Sequence, residues 1–154
     1  MSSEYIKSLS LNPFFCSKII PHFVQGYGKD VELPLAYLIL PYVLYEPSRN
    51  VLRNANAKSS IYSLFIDNNK LLNIAGIEKR YEIYKNLTNQ SIIVACNENL
   101  LEFEQKLKLV GSPKYQNTKN LQIREYYKAA YYLGRIFSDY RPFDIFLKIG
   151  VKEV

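Results

Sequence analysis

The sequence is poor in the side chains that perform chemistry. It holds one histidine, His22, two cysteines, Cys16 and Cys96, and no tryptophan. Two thiols about 80 residues apart and a single imidazole offer no zinc-ligand spacing. Nothing flanks either thiol to activate it as a nucleophile. Phosphate-binding loops are missing as well: neither GxxxxGKS/T nor GxGxxG occurs, and Gly26-Tyr27-Gly28 is an isolated pair. Carboxylates are scattered, and Glu102 and Glu104 fall on the polar side of an alternating segment, as solvated strand charges do. His22 lies in a Phe-rich stretch beside Pro21 and reads as a partly buried structural residue. The sequence therefore predicts no catalytic residue, no metal site, no cofactor and no small-molecule substrate; an enzyme is the weakest reading.

Long apolar runs are also missing. The longest, Leu33 to Tyr45, is 13 residues, against the roughly 20 that a membrane-spanning helix needs. Met1-Ser2-Ser3-Glu4 is not the positive start of a secretory signal, and no apolar stretch follows it. Two thiols without that context read as small buried hydrophobes in a reducing compartment. These features predict a soluble, cytoplasmic protein with no membrane partner.

What is present is tyrosine and an uneven distribution of charge. Fourteen Tyr and eight Phe suit half-buried surfaces and interfaces, although a Tyr that replaces Phe or Leu in a lysine-rich composition explains any single position equally well. Residues 1–105 hold ten Lys/Arg and ten Asp/Glu, whereas residues 106–154 hold ten and four, so the whole excess of +6 lies in the last third. Lys106, Lys108, Lys114, Lys119 and Arg124 follow one another with no acid before Glu125. That basic strip suggests an acidic partner or a nucleic-acid backbone; a solvated lysine-rich loop is the plainer alternative.

Asn12-Pro13 is a helix start, and Phe14, Phe15, Ile19, Ile20, Phe23 and Val24 fill the helix, which Pro21 must kink or split. Leu33–Tyr45 is apolar on every face and reads as a buried central helix bent at Pro41; the alternative, a buried strand, conflicts with an interior proline. Glu46 to Lys58 is polar and reads as a loop. A short helix at Ile61–Ile66, a second at about 71–86 and a third capped by Thr88 follow, with Asp67-Asn68-Asn69 as a break. Alternation around Gln105-Lys106, from Leu100 to Val110, predicts a β-hairpin. After a polar linker at 111–120, a long helix runs from about Leu121 to Tyr140, and a last one from Phe143 to Val151. Tyr127, Ala130, Leu133, Gly134 and Phe137 share one stripe of the long helix. Gly134 costs about 1 kcal/mol of helix propensity against Ala, so Ala130, Leu133, Gly134 and Phe137 are candidate positions for close helix packing.

The fold class expected is mainly α with a small β-hairpin (α+β). Residues 1–154 form a single domain: N-terminal helices (12–45), a winged-helix-like part (59–110) and C-terminal helices (121–151). Three short helices and a hairpin are the order of a winged helix-turn-helix. A DNA-reading version carries basic and amide side chains on its third helix. Here Thr88 to Asn97 holds no Lys or Arg, with Asn89 and Gln90 the only amides near its start, which favours protein docking over base reading.

The ends of the chain carry a resemblance. Asn12-Pro13-Phe14, Phe23-Val24-Gln25-Gly26-Tyr27, Leu33-Pro34-Leu35-Ala36 and Lys128-Ala129-Ala130-Tyr131-Tyr132-Leu133-Gly134-Arg135 resemble the middle component of the prokaryotic three-component ABC-ATPase conflict systems. The resemblance covers most of residues 12–151, and none of these motifs is catalytic. It implies an adaptor that binds an SMC- or RecN-like ABC ATPase and couples it to an effector, often a nuclease, in anti-phage or anti-plasmid defence of the Lamassu type. DNA would be met through the complex. Pro21 and the short, Tyr-rich loops depart from the pattern and put local helix geometry in question. A stand-alone winged-helix DNA-binding regulator is the competing reading.

Overall fold

A computed structural model describes residues 11–56, 58–66 and 75–149. The expected lead-in at 1–10, the break at 67–69 and Leu71, Leu72 and Ile74 of the second expected helix lie outside these residues, as do Gly150 and Val151 at the end of the last one.

Asn12 caps the first helix, α1 (Pro13–Tyr27), by accepting a 2.7 Å hydrogen bond from the Phe14 amide. Gly28, at φ 77°, closes it and donates its N–H to the Val24 carbonyl at 3.1 Å. Pro21 does not split the helix: one run spans residues 13–27. Ten of its fifteen residues are buried, and tertiary packing of that extent offsets the one bond a proline removes.

The apolar segment after α1 is not one bent helix. It begins with a two-residue strand, β1 (Val31–Glu32), and continues as two short helices, α2 (Leu33–Ala36) and α3 (Ile39–Val43), parted at Tyr37-Leu38. The break precedes Pro41 because a proline ring collides with the carbonyl four residues earlier, here that of Tyr37. Pro41 itself then sits in the first turn of α3, where a missing N–H costs nothing. Residues 35, 36 and 38–40 are wholly buried.

The expected loop after Tyr45 is instead a helix, α4 (Glu46–Arg53). The signals were local: an acid and Pro47 in the first turn, Arg53 in the last. Ser48 is buried beneath it and donates to the carbonyls of Tyr42 and Tyr45. Residues Tyr62–Ile66 form a π-helical turn rather than an α-helix. The helix α5 (Ile77–Ile83) follows Gly76, and Tyr84 separates it from α6 (Lys85–Asn97). Thr88 is not the cap of this helix. It lies one turn inside, fully buried, because the run beginning at Lys85 carries Leu87 onto the core.

The hairpin forms where alternation placed it: β2 (Leu101–Phe103) and β3 (Lys106–Leu109), antiparallel, with Leu101 opposite Leu109 and Phe103 opposite Leu107. β1 joins the other side of β3, so the strand order is β1-β3-β2. Two residues carry too little pattern for β1 to be seen in the sequence. Beyond a 3-10 turn at Tyr115–Asn117, Asn120 caps α7 (Leu121–Phe137) with 3.0 Å bonds from the Gln122 and Ile123 amides. The chain ends its described part in α8 (Pro142–Ile149).

One buried cluster runs from Phe15 to Ile149. Its spine is α1, packed most extensively on α7 and next on α6, with α4 packed on α7 as well. Aromatic rings tie the layers: Phe23 meets Phe137 edge-on at 6.1 Å, Phe137 meets Tyr42 at 5.8 Å, and Tyr42 meets Phe65 at 5.1 Å.

Candidate docking surfaces

The basic strip divides when the chain folds. Lys106 and Lys108 both project from the solvent side of β3. Glu32 of β1 stands directly opposite Lys106, and Glu102 of β2 stands directly opposite Lys108. Such cross-strand pairs are mutually stabilising by roughly 0.2–1 kcal/mol each. Glu102, Lys106 and Lys108, with Asp30 and Glu104, line an open pocket of about 290 Å3 that also holds Gln105, so three acids face two bases there. Charge counting along the chain missed this because the acids arrive from other strands.

Lys114, Lys119 and Arg124 end up elsewhere, around the outward side of α7. The 3-10 turn lays the Tyr115 ring against α7, 5.6 Å from Tyr131 and 6.4 Å from Tyr132. The Arg124 guanidinium lies 6.0 Å from the Tyr115 ring centre, and the Lys128 ammonium 5.9 Å from that of Tyr132. Burial, and then a hydrogen bond with Tyr132, push the Tyr115 phenol above its ordinary range, so the cluster's cations face neutral rings. Lys128, Arg135 and the three tyrosines escaped sequence reasoning; their helical spacing was the available signal.

Ala130, Leu133 and Phe137 are wholly buried, and Gly134 is buried with them. They form the inner side of α7 against α1, so they are interior contacts of this chain rather than a surface for another. Gly26, which the sequence shows only as one of an isolated glycine pair, belongs to the same contact: a Cβ there would lie 2.8 Å from the Tyr131 carbonyl carbon and 3.1 Å from the Arg135 nitrogen.

The outward side of α6 is formed by Asn86, Asn89, Gln90, Ile93 and Asn97, all exposed. Ile93 is 60% exposed in the middle of four amides, and no charge interrupts the row. The Tyr37 hydroxyl donates to Asn89 Oδ1 at 2.7 Å and fixes that amide.

Among the described residues, the groups capable of chemistry are dispersed: no three His, Cys, Asp or Glu side chains gather as metal ligands would. Cys16 is buried, and desolvation pushes its thiol up to about 12, against a smaller opposing hydrogen bond from Ser91. Burial also raises Cys96. His22 is buried, stacked on the Tyr127 ring at 4.5 Å, with Nδ1 2.7 Å from the Lys18 carbonyl. Nδ1 therefore carries the proton and donates it to that carbonyl. No described helix is long and apolar enough to cross a membrane.

Fold and surfaces together define a mainly α domain with a small three-stranded antiparallel sheet, whose features are outward faces rather than a cleft of reactive groups. The chain belongs to the family of the ABC-three component (ABC-3C) system Middle Component 3, whose family model matches residues 2–153. It is thus a middle component of an ABC-three component system. No curated protein and no solved structure matches the chain.

Proposed function

We propose that the chain is a non-catalytic adaptor: it binds the SMC- or RecN-like ABC ATPase of its system and couples that ATPase to an effector, a nuclease in many such systems. The family match over residues 2–153 carries this reading. In support, no three His, Cys, Asp or Glu side chains gather among the described residues, and Cys16 is buried with its thiol pushed up. The setting is cytoplasmic defence against phage or plasmids, of the Lamassu type, with DNA reached through the complex.

The body of the adaptor is winged-helix-like. In support, α6 leads directly into the β2–β3 hairpin, and a strand that follows α1 completes the sheet in the order β1-β3-β2. A winged helix that reads base edges needs cations or bidentate donors presented by the helix before the hairpin. The amide row of α6 with Ile93 at its centre has no cation, and depletion of charge around an apolar residue is the character of a protein interface core. This argues for the ATPase on α6 and against a stand-alone regulator.

Co-expression with the ABC ATPase of its system tests the assignment. The chain should co-purify with a tagged ATPase, and Ile93→Glu should reduce recovery at unchanged expression and thermal stability. Failure of the unmutated pair to co-purify overturns the adaptor reading. Equal recovery of the Ile93→Glu chain removes α6 as the docking face.

A further inference from the structure

We infer that the outward side of α7, together with the turn at Tyr115, is a binding surface for a nucleic-acid phosphate backbone, and that the sheet lysines are not part of it. Five cations border this surface: Lys114, Lys119, Arg124, Lys128 and Arg135. Lys119 immediately precedes the cap at the start of α7, and Lys114 immediately precedes Tyr115, whose ring packs further along the helix against Tyr131 and Tyr132.

The neighbouring acids do not cancel these charges. Glu125, next in sequence to Arg124, turns to α4 and pairs with Arg53 at 2.9 Å. Asp139 follows Arg135 by four residues and is exposed. Contrast the sheet, where each lysine of β3 has a glutamate opposite. Two clusters of similar lysine content thus differ in net field, and only one attracts a polyanion.

The arrangement is a row rather than a cup. Arg124, Lys128 and Arg135 recur along one helix, spaced over about 16 Å at 1.5 Å per residue. One strand of a duplex presents about five phosphates over that axial length. A single carboxylate or phosphate would need donors that converge, and these do not. Tyr115 and Tyr132 hold Arg124 and Lys128 over their rings, which limits the freedom lost when those cations meet phosphate. The tyrosine hydroxyls, with exposed Gln116, Asn117 and Gln122, supply neutral groups of the kind that contact phosphate and sugar. Sequence preference is not expected, since nothing here reaches base edges. The inference does not depend on the adaptor reading: it concerns the isolated chain and holds or fails without the ATPase.

Fluorescence anisotropy of the full chain with a short labelled duplex of arbitrary sequence tests it. If all five cations meet phosphates, the slope of log affinity against log salt is about −4.5, an affinity loss of about 500-fold for a fourfold rise in salt. Lys114→Glu/Lys128→Glu/Arg135→Glu should weaken binding by about 100-fold or more at low salt and flatten that slope by about three charges' worth. Lys106→Glu/Lys108→Glu, made on the sheet, should change affinity by less than about threefold, since acids already outnumber bases around those lysines. Circular dichroism confirms folding of each variant, and Lys114→Gln/Lys128→Gln/Arg135→Gln replaces any charge-reversed set that melts. No binding at low salt, or equal losses from the two sets, overturns the proposal. So does displacement of the duplex by polyglutamate at equal charge concentration, which would assign the surface to an acidic protein segment instead.

Discussion

Gly134 on α7 lies directly against the Phe23 carbonyl on α1: a Cβ at Gly134 would land on that oxygen and come within 2.8 Å of the Tyr27 nitrogen. Gly26 answers from the other helix, against Tyr131 and Arg135. Each helix axis is therefore as close to the other as backbone atoms allow. The obstacles are main-chain atoms of the two helices, so no side-chain rotation relieves them.

Gly134→Ala should destabilise the protein even though Ala gains about 1 kcal/mol of helix propensity. Forcing the helices apart over the packed layer formed by Phe23 and Phe137 costs more than that, and a net loss of about 2 kcal/mol follows from the usual range for overpacked cores. A thermal melt should show a midpoint lower by about 4–8 °C. Gly26→Ala should behave likewise. The double variant should lose less than the sum, because helices already parted by one methyl accommodate the second. A Gly134→Ala chain that melts higher than the parent would contradict the contact.

How much of this was legible beforehand depended on the length of the pattern. The seventeen residues of α7 and the alternation of the hairpin repeat their signal often enough to fix type and face. Caps were legible because Asn12 and Asn120 act locally through their own side chains. β1 was not, having two residues and deriving its stability from β3, which lies more than 70 residues on. The helix α4 was hidden by polar composition, since only Leu52 of its eight residues is an apolar side chain in the core. The basic strip was read along the chain, where charge has no partner; the acids that divide it come from β1 and β2 across the sheet. The inner stripe of α7 was visible as periodicity, but its role as an interior contact depended on Gly26, about a hundred residues earlier.

Asn120→Ala removes the acceptor for the Gln122 and Ile123 amides. Loss of such a cap costs about 1 kcal/mol, and the midpoint of thermal unfolding should fall by about 2–4 °C. Asn120→Gly should lose only a few tenths of that energy, since glycine is tolerated at this position. Equal losses for the two substitutions would show that the side chain supports something other than the helix start.

Tyr42→Phe should stabilise the protein, against the usual direction of core substitutions. The Tyr42 ring is fully buried between Phe65 and Phe137, and its hydroxyl has no hydrogen-bond partner among the described residues. Burial drives its ionisation far above the ordinary range despite the opposing field of Arg80. An unpaired buried hydroxyl carries a desolvation cost of roughly 1–3 kcal/mol, which phenylalanine removes while keeping the ring contacts. Urea titration should show an upward shift of about 1 kcal/mol with an unchanged m-value. A loss of stability instead would reveal a partner for the hydroxyl.

His22 should make the protein sensitive to mild acid. Its imidazole is held below its ordinary pKa of 6.5, chiefly because burial disfavours the cation, with the Lys18 carbonyl opposing. In the unfolded chain the ring titrates near its ordinary value, so below about pH 6.5 the unfolded state binds a proton that the folded state refuses. Stability contributed by the neutral ring is complete above that pH and declines as pH falls toward the folded-state value, where it levels off. Unfolding free energies measured between about pH 7.5 and 5.5 should therefore drop on the acid side, in a range where carboxylates contribute little. His22→Phe keeps an aromatic ring against Tyr127 but has nothing to protonate, and should abolish that drop while losing the bond to Lys18. If the acid-side decline persists in His22→Phe, another group is responsible and the burial of this imidazole has no bearing on the pH response.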